Sequence, residues 1–214
     1  MKKRYQRYRI AFGLLAAFVL WTLAVCWVDV QNVGPQGSPV GFGSLNLLVH
    51  RLTGVHRLLY TITDWLGLVP LVFILGFALL GLVQWVQRKD IRKVDRSLLV
   101  LGGFYLAVAA VYVFFEIVIV NYRPVWIEGF PEASYPSSTT VLVLCVMPTA
   151  RMQLHRRIHN ALGKRLVSWG ICLFMVFMVV GRLISGVHWL TDILGGVLLS
   201  AGLVMLYHAA THPE

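Results

Sequence analysis

Four ionisable side chains are spaced so that they could act on a phosphate: Arg123, Arg182, His188 and Asp192. A guanidinium offers a rigid fork of donors that matches phosphate oxygens two at a time. His188 and Asp192 are four residues apart, which on a helix puts them on one face within side-chain reach. A carboxylate there holds the imidazole in one tautomer, and an imidazole so held is a general base or a nucleophile. Beside a bound phosphate, the nucleophilic role gives a phosphohistidine. Pro136 is followed by Ser137, Ser138 and Thr139 at the start of an apolar run. There the unpaired N–H groups and the dipole of a helix N-terminus favour an anion. Singly, each feature has a plainer account as a helix cap, a headgroup anchor or a buried polar contact. Their convergence on one side of the chain's topology favours a phosphate site, because ionisable groups at membrane depth are functional candidates.

That topology follows from composition. Of 214 residues, 58% are apolar and 13% charged, a charged fraction about half that of a soluble domain. The apolar residues form long runs that suit a hydrocarbon layer about 30 Å thick. Six transmembrane helices are expected, at about Ile10 to Trp27, Gly67 to Val86, Leu98 to Val120, Thr139 to Met152, Leu166 to Ile184 and Trp189 to Tyr207. The first is read as a span rather than a cleaved leader, its apolar stretch being too long for one. The fourth is short and contains Pro148, which a bundle tolerates. The fold class is therefore all-α, a polytopic membrane bundle forming one domain over residues 1–214.

The net charge of +10 is a topology signal rather than a sign of a nucleic-acid partner. Basic clusters stand at Lys2, Lys3, Arg4, Arg7 and Arg9; at Arg88, Lys89, Arg92, Lys93 and Arg96; and at Arg151, Arg156, Arg157, Lys164 and Arg165. Arg51, Arg57, Arg123 and Arg182 fall on the opposite side. The positive-inside rule then puts both termini in the cytoplasm, in an inner membrane, and the candidate site outside. Apolar residues at Leu45, Leu48, Leu52, Val55, Leu59 and Ile62 step by threes and fours, so one outer amphipathic helix is expected over this stretch, with His50, Arg51, His56, Arg57 and Asp64 on its polar face. Cys26, Cys145 and Cys172 lie inside spans and act as small apolar residues.

The segments Glu116–Pro124, Pro136–Thr139 and Gly181–Asp192 resemble the three signatures of the type 2 phosphatidic acid phosphatase family, K-x6-R-P, P-S-G-H and S-R-x5-H-x3-D. The resemblance spans residues 116–192. It implies that His188 is the nucleophile, Asp192 its orienting partner, and Arg123 and Arg182 phosphate ligands, with Ser137, Ser138 and Thr139 beside the phosphate. Neither metal nor cofactor is expected.

Besides Gly181, which stands where serine is usual, two departures from the family pattern bear on the chemistry. Glu116 replaces the first-signature lysine and is expected two helical turns from Arg123 on one face, where it could brace that guanidinium or another cation. Thr139 replaces the histidine that protonates the leaving alcohol, and a hydroxyl does that poorly. The need for proton donation rises with the basicity of the leaving oxygen. A lipid diphosphate such as undecaprenyl diphosphate, which leaves as a phosphate monoester, is therefore the expected substrate over a monoester such as phosphatidic acid. His50 or His56 is an alternative proton source. The competing readings are a lipid-phosphate binding protein or a phosphotransferase of the same fold, or a small transporter or scaffold whose outer polar cluster is structural. Oligomeric state is open.

Overall fold

In lipid every backbone N–H and C=O must be satisfied within the chain, and long apolar runs meet that demand as helices. The computed structural model describes residues 2–127 and 129–211, with the side chains of Lys2 and Lys3 outside the description. The helices are α1 (Lys2–Trp27), α2 (Gly43–Thr53), α3 (Arg57–Leu66), α4 (Leu68–Arg88), α5 (Arg96–Ile117), α6 (Ser138–Arg157), α7 (Ala161–Ile184) and α8 (Leu190–Thr211). Large apolar side chains cover the outside of the bundle: Leu20, Leu75, Leu106 and Leu173 are each more than 60% exposed. Such a surface suits hydrocarbon rather than water. The protein is a multi-pass membrane protein.

Among the described residues, five stretches are long and apolar enough to cross a bilayer: Arg4–Trp27, Arg57–Arg88, Arg96–Ile117, Ala161–Ile184 and Leu190–Thr211. The remaining long helix, α6, is less apolar because it sits among others. It packs against α4, α5, α7 and α8, and Thr140, Val143, Val146, Thr149, Ala150 and Gln153 are all buried. Its 20 residues reach about 30 Å, the thickness of the hydrocarbon layer. Enclosed by protein, it holds polar residues where lipid would forbid them. Gln153 donates to the Tyr207 hydroxyl at 2.6 Å and to the Ser97 carbonyl at 3.0 Å.

Two differences from the expected elements bear on the site. The outer amphipathic segment is not one helix but two, α2 and α3, separated at Gly54 with φ +68°. The bend lets the backbone dock on the turn between α7 and α8: His56 N–H donates to the Ser185 carbonyl at 3.0 Å. A Cβ on Gly186 would lie 2.0 Å from the Gly54 oxygen, so no side chain fits there. α3 then runs on through Gly67 into α4, lengthening the second span at its N-terminal end. The second difference is α5, which ends at Ile117 rather than Val120.

α8 is held from the N-terminal half of the chain. α1 lies along it, close enough that a Cβ on Gly202 would meet Leu15 at 2.8 Å. Trp21 Nε1 donates to the Thr191 carbonyl at 3.2 Å, and Asn46 of α2 donates to the Thr191 hydroxyl at 3.0 Å. These contacts fix the first turn of α8, immediately after His188.

Candidate functional site

The segment between α5 and α6 turns back on itself. Tyr122 and Ala133 pair as an antiparallel bridge; Arg123 N–H donates to the Glu132 carbonyl and Ser134 N–H to the Asn121 carbonyl, each at 3.0 Å. The pairing brings Asn121, Arg123, Glu132 and Ser134 together. Tyr135 anchors it, 1% exposed, with its ring against Phe18 and Phe115 and its hydroxyl 2.7 Å from Thr22 Oγ1. Gly195 makes room for that ring, since a Cβ there would lie 2.6 Å from it. Just before α8, Trp189 Nε1 donates to the Tyr122 carbonyl at 2.8 Å. The strap is thereby registered against the start of α8.

His188 and Asp192 do face one another, but Ser134 stands between them. Nδ1 lies 3.7 Å from Asp192 Oδ2, too far for a direct hydrogen bond. Ser134 Oγ donates to Asp192 Oδ2 at 2.5 Å and lies 3.1 Å from His188 Nδ1. A hydroxyl has one proton, so Nδ1–H must be the donor to Ser134. Asp192 is further fixed by the Trp189 N–H at 2.8 Å, as in a capping box, and by the Asn121 amide at 3.1 Å. On the other side of the ring, Arg182 Nη2 donates to Nε2 at 3.3 Å. Since a guanidinium only donates, Nε2 is the unprotonated nitrogen. Burial, and then the charges of Arg182 and Arg123, hold the imidazole well below its ordinary range. It is neutral and presents a lone pair.

The two guanidiniums bear on the same imidazole. Arg182 is 1% exposed, stacked over the Tyr60 ring at 5.0 Å and 3.6 Å from Asp64 Oδ1. Arg123 Nε lies 3.2 Å from Glu132 Oε2 without hydrogen-bond alignment. Nε and Nη1 of both arginines are buried without an acceptor among the described residues. Four such donors are costly unless an anion with several oxygens meets them.

The structure brings Arg123, Arg182, His188 and Asp192 together and distributes the other sequence candidates around them. Ser137 ties α6 to α8: its N–H donates to the Asp192 carbonyl at 3.1 Å, and its hydroxyl accepts from Thr140 at 3.1 Å. Ser138 and Thr139 line a cavity of about 530 Å³ between α4, α5 and α6, which also contains Asp64, Glu116 and Ser134. Glu116 does not brace Arg123. α5 stops one residue after it, Arg123 belongs to the strap, and the carboxylate beside that guanidinium is Glu132. His56 is exposed, its Nε2 2.8 Å from the Thr53 carbonyl, while His50 packs against Trp189 with ring centroids 5.6 Å apart. Burial lowers the pKa of His50.

Ser134, Asn121 and Glu132 carry no sequence signal, and Asp64 is marked there only as a polar-face residue of the amphipathic segment. The contacts of the first three exist only once the strap folds back, Asn121 and Asp192 being 71 residues apart, and Asp64 meets Arg182 only when α3 packs on α7. Gly181, where the family has serine, does have a local cause. A Cβ there would press on Thr63 of α3 at 2.8 Å.

The model of the PAP2 superfamily matches residues 54–213. Among solved structures, a transmembrane PAP2 type phosphatidylglycerolphosphate phosphatase from Bacillus subtilis is similar in fold, with a TM-score of 0.61 and 18% identity over 94% of each chain. No curated protein sequence matches.

Proposed function

The chain belongs to the PAP2 superfamily of phosphatases, and from that premise we propose that it hydrolyses the phosphate group of a membrane lipid through a covalent intermediate on His188. The observation that carries this reading is the unprotonated Nε2 of a buried, neutral His188 beside two guanidiniums with unmet donors. In this mechanism Arg123 and Arg182 bind the non-bridging oxygens and neutralise the charge that grows on them. Nε2 attacks phosphorus, the lipid oxygen leaves, and the Nδ1 proton stays hydrogen-bonded through Ser134 to Asp192, which stabilises the imidazolium. Water then releases phosphate.

The leaving group decides the substrate. Thr139 stands where a proton donor is usual, which disfavours a basic alkoxide and favours a lipid diphosphate, such as undecaprenyl diphosphate, that departs as a phosphate monoester. The cavity between α4, α5 and α6 has Leu68 and Leu71 on its wall, both exposed at the bundle surface, and suits an apolar tail entering from lipid. The three basic clusters lie at the other end of the bundle, which supports an inner membrane, cytoplasmic termini and a site facing outside.

Phosphate release by purified protein in mixed micelles, compared across a prenyl diphosphate and phosphatidic acid, tests the substrate assignment. The prenyl diphosphate should be turned over at least tenfold faster. Faster release from phosphatidic acid would overturn it.

A further inference from the structure

Replacing the second-signature histidine by Thr139 leaves the reaction without a group to take a proton from water. We propose that Asp64 fills this role as the general base for hydrolysis of phospho-His188, an inference that rests on the phosphohistidine reading above. Thr139 faces α3: its Cγ2 would lie 3.7 Å from a Cβ on Gly67. Gly67 is three residues beyond Asp64 with helical backbone angles, so both occupy one face. Asp64 Oδ1 is 3.6 Å from Arg182 Nη1, while Nη2 of the same guanidinium is 3.3 Å from His188 Nε2. One guanidinium thus spans the carboxylate and the nucleophile, and a phosphoryl group held by it lies next to both. The Asp64 side chain is 56% exposed and lines the cavity shared with Ser138 and Thr139, so water reaches it. Glu116 lines the same cavity from α5, but among the described residues it has no ion pair with Arg182.

A carboxylate accepts a proton where threonine does not. In this step the water oxygen bonds to phosphorus as its proton passes to Asp64. The P–N bond breaks, its electron pair returns to Nε2, and the products are hydrogen phosphate, neutral His188 and a protonated Asp64 that discharges to solvent. Formation of the intermediate from a diphosphate needs no such group, so the two half-reactions separate.

Rapid-quench turnover of a prenyl diphosphate labelled in its terminal phosphate tests this. Asp64→Asn should form labelled protein with the wild-type burst rate, accumulate it toward one label per site, and lose about 100-fold in kcat. Asp64→Glu should recover at least a tenth of wild-type kcat, and formate should speed label release from Asp64→Ala. Wild-type kcat in Asp64→Asn, or a slowed burst with a raised KM and no formate effect, would overturn the proposal, the latter by showing that Asp64 only braces Arg182. Absence of label on wild-type His188 would instead sink the phosphohistidine reading itself.

Discussion

The proposed nucleophile His188 can attack in one tautomer only, and the hydrogen bonds around it select that tautomer from both sides: Arg182 donates to Nε2 and Ser134 accepts from Nδ1. Ser134→Ala should therefore lower kcat by about 10- to 100-fold with little change in KM, the loss of about 1–3 kcal/mol that follows when a buried polar group loses its partner. In the proposed mechanism the neutral form of His188 reacts, and its pKa lies well below the ordinary 6.5. Lowering a histidine's pKa extends the neutral form to lower pH, so the kcat/KM profile should stay level through pH 6.5 and fall on the acid side below it. Spacing pairs His188 with Asp192, and the charge topology puts Arg123 and Arg182 on the same side. It could not expose Ser134, which inserts between two residues more than 50 positions away, nor show that Glu132 rather than Glu116 lies beside Arg123.

At the scale of elements, glycines mark where helices must touch. Gly181→Ser should push Thr63 and strain the α3–α7 contact, destabilising by about 1–3 kcal/mol. Adding Thr63→Ala should restore most of the thermal stability measured in detergent; failure of the double variant to recover would show that the strain lies elsewhere. The apolar periodicity revealed the outer amphipathic segment but not its break, because Gly54 bends to meet the α7–α8 turn, a contact remote in sequence. α6 carries the weakest hydropathy signal for the opposite reason. Hydropathy registers contact with lipid, and α6 touches mostly protein.

The whole molecule is a bundle whose chemistry gathers at one end and whose basic clusters gather at the other. Composition alone places it in a membrane, and the alternation of lysines and arginines predicts a sidedness. In a cysteine-free background, an impermeant thiol reagent applied to intact cells should modify Gln36→Cys, exposed between α1 and α2, and spare Lys93→Cys, exposed between α4 and α5. The reverse pattern would invert the proposed orientation and put the site in the cytoplasm.

The most direct test of the account is the chemical fate of the transferred phosphate. Wild-type protein quenched in alkali during turnover of a lipid diphosphate, then digested and mapped by mass spectrometry, should carry an acid-labile phosphate on His188 that is missing from His188→Asn. Steady phosphate release with His188 unmodified, or undiminished turnover by His188→Asn, would contradict it.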